Sequence, residues 1–384
     1  MDINTILSRV NEICQEVVGP NAEKVDQEGI WPQHSLHALQ VAGLAGLVVP
    51  KECGGLGHGL LTLVRVCEML GKECASTGLC FGMHCVGSAV ISAKATDYQK
   101  RHYLEPISQG KHITTLSLSE SGTGAHFYFP QTQLKKVSSQ AYKITGTKTF
   151  VTNGSHADSY VVSTVVVDKN AKPGQFSCVM VSNDAKGIQW GGQWQGLGMR
   201  GNSSRTLELK DVEIPKKDLL GKEGDQIWYI FNVVAPYFLM AMSATYLGIA
   251  SSTLDEARNH LEKRRYSTTG EKLSQNSLLQ HRLGVLWAEV ERTRQLIYHA
   301  AHLGDTNDSS AVIALLSAKA EVADTVVHVV NEVMTLMGGI AYRDNGKLSR
   351  HLRDARAAHV MAPTTDLLRT WTGRALLGLP LLGE

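Results

Sequence analysis

Two short stretches of the 384-residue chain set hydroxyl side chains beside glycines and an aromatic ring: Leu118-Ser119-Glu120-Ser121-Gly122-Thr123-Gly124 and Lys148-Thr149-Phe150-Val151-Thr152-Asn153-Gly154. Hydroxyl and backbone N–H donors suit the polar edge of a planar heterocycle, and a flat or apolar side chain suits its face. Gly122-Thr123-Gly124 lacks the G-x-G-x-x-G spacing between a strand and a helix, so no dinucleotide fold of that type is implied. Lys263-Arg264-Arg265 offers planar guanidinium forks that can grip two phosphate oxygens; the alternative reading is a basic helix end facing the dipole. His84, inside the apolar run Phe81-Gly82-Met83-His84-Cys85, could orient a substrate or be a satisfied core histidine.

The elements that must hold these groups fall into three regions. Residues 1–112 read as an N-terminal helical domain, with Leu36 to Leu47 helical, a break at Pro50 and Gly54-Gly55-Leu56-Gly57, and buried helices from Leu60 to Ala93. Residues 113–222 read as a middle β domain. Tyr142-Lys143-Ile144 and Phe150-Val151-Thr152 are expected as two strands around a turn at Thr145 to Thr149. Tyr160 to Val167 and Phe176 to Val181 are β-branched runs joined through Asp168 to Gly174. Leu207, Leu209, Val212 and Ile214 suggest a strand with a one-residue slip, stopped by Pro215. Residues 223–384 read as a C-terminal helical bundle. One apolar stripe runs through Leu279, Leu283, Leu286, Val290 and Ile297 behind Ser274 as N-cap; a second runs from Leu315 to Met337 and ends at Gly338-Gly339. A polar loop from His302 to Ser310 between them predicts antiparallel helices. The fold class is α+β, mainly α.

Composition excludes several functions. A net charge of +2, with Lys and Arg scattered, gives no stripe for nucleic acid. Seven cysteines, without a C-x-x-C pair, argue against a disulfide framework or a metal centre and suggest a reducing cytoplasm. No signal segment and no apolar run of membrane-spanning length are expected.

Four stretches, in order along nearly the whole chain, resemble the acyl-CoA dehydrogenase family. Leu118–Gly124 is similar to its T-E-P-G-A-G-S loop and Lys148–Gly154 to its K-x-W-I-T-N-G segment. Gly196-Leu197-Gly198-Met199-Arg200-Gly201, running on to Val212–Pro215 and Leu220-Gly221, forms the third, and Gly338-Gly339 followed by Arg353-Asp354-Ala355 the fourth. The resemblance implies FAD and the helix–β–helix layout of that fold. It places Leu118, Ser119 and Thr152 on the flavin edge and Phe150 against a face, with Thr364 close to the ring. It assigns Arg264 and Gln275, by ungapped counting, to the neighbour's pyrophosphate, and Thr335, Gly338 and Gly339 to the adenosine side of the neighbour's FAD. A flavin shared in this way implies a homodimer or homotetramer.

The family removes an α-proton with a glutamate in a Y-E-G-T-S run. The matching run here is Met361-Ala362-Pro363-Thr364-Thr365, so a methyl group stands where the base belongs. Some relatives move the base to the first long C-terminal helix, where this chain has Phe238-Leu239. Three readings follow. The chain oxidises a small-molecule or carrier-bound acyl substrate with another base, such as Asp366 one turn beyond Ala362, passing electrons to a protein partner or O₂. Alternatively it is a flavin-dependent monooxygenase or oxidase working in an apolar pocket, with His84 or, more weakly, His359 orienting the reactants. The third reading is a non-catalytic scaffold stabilised by FAD.

Overall fold

The computed structural model describes residues 1–167 and 175–383. Helices occupy the chain as far as Ser108, strands dominate from Thr114 to Leu220, and helices resume at Gln226. The expected fold class is therefore the observed one.

The middle region is one eight-stranded mixed sheet: β1 (Thr114–Ser117), β2 (Gln133–Lys136), β3 (Ala141–Val151), β4 (Ser159–Val166), β5 (Phe176–Ser182), β6 (Ile188–Trp190), β7 (Arg205–Pro215) and β8 (Leu219–Leu220). Its order is β6-β7-β3-β2-β4-β5-β8, with β1 parallel to β4. The expected hairpin at Thr145 to Thr149 is absent. Tyr142–Ile144 and Phe150–Val151 belong to one strand, because β7 is long enough to pair with β3 along its whole length, from Ala141↔Pro215 to Val151↔Arg205. Gly146, read as a turn residue, instead lets β3 pass close to Thr132, whose Oγ1 would lie 2.6 Å from any Cβ placed there. The slip expected in β7 is a register shift opposite Ile144/Gly146, with Asp211 at φ +49°. Leu207, Leu209, Val212 and Ile214 are all buried on either side of it. The Asp168 to Gly174 connection lies outside the described residues.

The C-terminal helices Ser277–Asp305 and Ala311–Met337 are antiparallel. Arg282 pairs with Glu332, His328 with Glu289, and the Thr293 and Thr325 hydroxyls meet at 2.8 Å. The N-cap of the first of these helices lies two residues after the expected one: Asn276, not Ser274, accepts from the N–H groups of Leu278 and Leu279. It also continues through Gly304 to Asp305, shortening the polar loop. Gly338, at φ +70°, ends the second.

The Ala75–Ala93 helix and the continuous helical stretch Gln226–Lys263 are long and apolar enough to cross a bilayer, contrary to the expected absence of such a run. Packing explains their composition: 94% and 78% of their most apolar windows are buried within the fold. The Leu60–Glu73 helix lies against the Ala235–Lys263 helix at glycine contacts from both sides. A Cβ on Gly71 would meet the Thr245 carbonyl at 2.4 Å, and one on Gly248 the Glu68 carbonyl at 2.3 Å. This close approach seats the Ala235–Lys263 helix tightly on the Leu60–Glu73 helix, and its Phe238 and Leu239 line the site.

Candidate active site

The loop after β1, the end of β3, the turn before β7 and four helices line a cavity of about 500 Å³. Leu118, Ser119, Phe150 and Thr152 all line it, so residues more than 30 positions apart in sequence share one wall. Local geometry explains how. The Thr149 N–H donates to the Ser119 carbonyl at 2.8 Å, stitching the loop to β3. Phe150 then takes φ +54°, strained for a non-glycine residue, at the register shift between Lys148 and Val151. That break in the pleat leaves its ring 65% exposed. Trp194 packs edge-on against it, with centroids 6.1 Å apart.

These groups fit a planar heterocycle with a polar edge. The Thr152 and Ser204 hydroxyls lie 3.3 Å apart on the cavity wall, either able to donate outward. The Trp194 Nε1–H is buried against Gly196 without a hydrogen-bond partner among the described residues.

The opposite wall is apolar. Phe231, Val234, Ala235, Phe238 and Leu239 recur at steps of three and four, presenting one helix face to the cavity. Ala362 and Pro363 line it as well. Both positions where a base was looked for thus face the cavity, and both are hydrocarbon. Among the described lining residues Glu120 is the one charged side chain. It is already engaged: Oε1 accepts from Lys148 Nζ at 2.6 Å and from the Thr132 hydroxyl at 2.8 Å, and Oε2 from the Gln131 N–H at 2.8 Å. Burial pushes its carboxyl up, but the Lys148 charge and these donors outweigh that and hold it below its ordinary value. Lys148, fully buried, is lowered to about 8 by desolvation, against which Glu120, the Leu118 carbonyl and the Ser163 hydroxyl hold its ammonium in place.

His84 and Asp366 do not reach the cavity. The His84 Nδ1 accepts from the Thr114 N–H at 3.2 Å, which puts the ring proton on Nε2, donated to the Ala45 carbonyl at 3.0 Å. Both ring nitrogens are spent, and burial lowers the pKa and keeps the ring neutral. It is a core histidine joining the Ala75–Ala93 helix to β1. Asp366 is exposed on the Thr365–Leu376 helix, whose buried stripe is Thr365, Leu368 and Trp371. Five residues separate it from Trp371, which turns it to solvent. His359 does not line the cavity either; its Nδ1 lies 3.2 Å from the Thr365 hydroxyl.

The remaining residues do not line this cavity. Arg264 is exposed at the C-cap of the Ala235–Lys263 helix. Gln275, also exposed, accepts from the Lys272 N–H at 2.8 Å. Thr335, Gly338 and Gly339 are exposed at the end of the Ala311–Met337 helix, and a Cβ on either glycine would meet nothing within 4 Å. Thr364 is half-buried beside Pro363, at the N-cap of the last helix.

Two joints escaped the sequence reading. Asp354, fully buried and pushed up to about 6 by burial, accepts from the Met199 N–H at 2.6 Å. Gly198 lies so close beneath the Arg353 carbonyl that a Cβ would sit 2.3 Å from it. Arg353 forks onto the Asp26 carboxylate, one branch at 2.7 Å. These contacts lock the N-terminal helices, the turn before β7 and the bundle together around the cavity.

Comparisons with known proteins agree with this architecture. Family models of the acyl-CoA dehydrogenase N-terminal, middle and C-terminal domains match residues 2–111, 115–212 and 239–377. The chain is 28% identical over 372 residues to the cyclohex-1-ene-1-carbonyl-CoA dehydrogenase of Geobacter metallireducens, covering 97% of each. Its fold superposes on butyryl-CoA dehydrogenase from Megasphaera elsdenii with a TM-score of 0.92, at 24% identity over 98% of each chain. It also superposes on the prolyl acyl carrier protein oxidase AnaB with a TM-score of 0.88, at 22% identity over 97% and 98% of the two chains. The chain belongs to the acyl-CoA dehydrogenase superfamily and is an FAD-dependent oxidoreductase.

Proposed function

We propose that this protein oxidises a small, apolar acyl group presented as a thioester, on a coenzyme or a carrier, without a carboxylate at either usual base position. The observation that carries the proposal is the single cavity in which Ser119, Thr152 and Phe150 face Ala362, Phe238 and Leu239. When bound, the flavin supplies the hydride acceptor. Ser119 and Thr152 would hydrogen-bond to its polar edge and Phe150 would cover a face. Thr364 stands beside the ring. Arg264 and Gln275 of a second copy hold the pyrophosphate, and that copy's Thr335, Gly338 and Gly339 border the adenosine; their exposure in one chain supports a homodimer or homotetramer. The phenyl and aliphatic wall positions the acyl group. The α-proton, on a carbon acidified by its own thioester, passes to a solvent water at the thioester end of the cavity and not to Glu120, whose carboxylate is ion-paired with Lys148.

The test is anaerobic mixing of FAD-loaded protein with short acyl thioesters while the flavin absorbance is followed. Bleaching is expected; unchanged absorbance across acyl lengths and carriers rejects the reading. The seven buried, unpaired cysteines support a reducing compartment such as the cytoplasm.

A second reading, use of O₂ on a small organic substrate, is favoured by the same hydrocarbon wall, which offers no proton acceptor but suits a water-poor oxygen reaction. Chemically reduced enzyme exposed to O₂ with candidate substrates would yield an oxygenated product; peroxide without such a product counts against it.

A further inference from the structure

Three aromatic rings from three separate elements close into a triangle at one end of the cavity. Phe231 and Trp371 approach to 6.0 Å between centroids, Tyr128 and Trp371 to 5.9 Å, and Tyr128 and Phe231 to 6.1 Å. Phe231 belongs to the helical turn preceding Ala235–Lys263, Trp371 to the last helix, and Tyr128 to the loop between β1 and β2. Phe231 and Trp371 face the cavity, while Tyr128 backs both rings and is 4% exposed.

The direction of the helix identifies which end this is. Phe231 and Leu239 are the first and last aromatic or aliphatic members of the cavity-facing stripe named above, about 12 Å apart along the axis. Residues 239–250 are buried without interruption, whereas Trp228 and Asn232, flanking Phe231, are exposed. On the outer side of the triangle, Phe129 packs on Tyr128 at 4.6 Å and is 44% exposed. The stripe therefore runs from a deep end at Leu239 to a surface end at Phe231, where the three rings stand between the cavity and solvent.

We infer that Trp371, wedged between Phe231 and Tyr128, closes the surface end of the cavity and sets the upper size of the substrate it admits. This rests on the cavity being the substrate site proposed above. The indole is suited to the role because a large rigid ring fills the gap with little conformational freedom to lose, and an edge-on contact with Phe231 and a tilted one with Tyr128 hold its angle. A smaller side chain at this position leaves space that a longer acyl chain or a bulkier carrier arm can occupy.

The experiment compares FAD-loaded wild type with Trp371→Leu and Phe231→Ala, the second variant guarding against misfolding of the first. Two readouts are taken: dissociation constants of N-acetylcysteamine thioesters from acetyl to dodecanoyl, from the visible spectrum of the bound flavin, and quenching of its fluorescence by acrylamide. Both variants should bind the longest thioesters about tenfold more tightly than wild type does, with little change for acetyl, and quenching should rise severalfold. Identical length profiles together with identical quenching overturn the inference. If no thioester binds any form but the variants still expose the flavin, the end wall stands and the acyl-thioester reading falls. If thioesters bind and both variants keep the wild-type length limit, Trp371 does not set it, whatever the quenching shows. If no thioester binds any form and quenching is equal, both fall.

Discussion

Lys148 places its ammonium 2.6 Å from the Glu120 carboxylate, with both side chains almost wholly buried. The pair ties the loop carrying Ser119 to the strand that carries Phe150 and leads into Thr152, so the geometry of the flavin wall depends on it. Lys148→Met leaves Glu120 buried and unpaired and is expected to cost about 3–5 kcal/mol. The double substitution with Glu120→Gln should cost less than Lys148→Met alone, since no charge is stranded. Urea denaturation of Lys148→Met, Glu120→Gln and the double variant gives the cycle. The FAD content of Lys148→Met should fall in parallel.

His84 and Asp366 separate structure from catalysis. His84→Leu strands the Thr114 N–H and the Ala45 carbonyl and should lower stability by on the order of 3 kcal/mol. Asp366→Ala, on an exposed face, should stay within about 0.5 kcal/mol of wild type. Neither should move the pH dependence of flavin reduction, followed by stopped-flow absorbance. A displaced pH profile in either variant would assign that side chain a proton-transfer role the geometry denies it.

Asp354 gives the protein a pH-dependent stability of definite sign. Burial raises its folded-state value to about 6, above the unfolded carboxyl, so the folded protein holds this proton more tightly. The neutral form is favoured below the unfolded value, and stability is lost as pH rises toward and through 6, by about 3 kcal/mol at most. Asp354→Asn keeps an acceptor for the Met199 N–H and removes the titration. Melting temperatures of the variant and wild type should converge near pH 4, with the variant higher at pH 7.

The parts of the site legible in the sequence were those carried by short contiguous motifs. Ser119 and Thr152 sit in two such stretches and reach the cavity wall, although the bond that joins the stretches, Thr149 N–H to the Ser119 carbonyl, links segments distant in sequence. His84 was ambiguous because its partners, Ala45 and Thr114, are 39 and 30 residues distant. Asp366 depended on which face of a short helix turns inward, and Thr365, Leu368 and Trp371 decide that. Glu120–Lys148 did leave a signal. Tyr142, Ile144 and Lys148 share the parity of one strand, and all are buried on one face of β3. Reading a hairpin at Thr145 to Thr149 broke that parity and hid the lysine. Asp26 and Arg353 lie 327 residues apart, and nothing local in either segment announces the pair.

The central claim is that FAD faces a cavity with hydrocarbon at Ala362, Phe238 and Leu239, where a carboxylate would take the substrate proton. The most direct measurement is the anaerobic rate of flavin bleaching by butyryl thioester in FAD-loaded wild type and Ala362→Glu. Restoring a carboxylate should accelerate bleaching by about a hundredfold or more, with a new acid limb in the pH profile. Equal rates and equal pH profiles, with both proteins holding FAD, would contradict the claim and mean that wild type already abstracts the proton with another group.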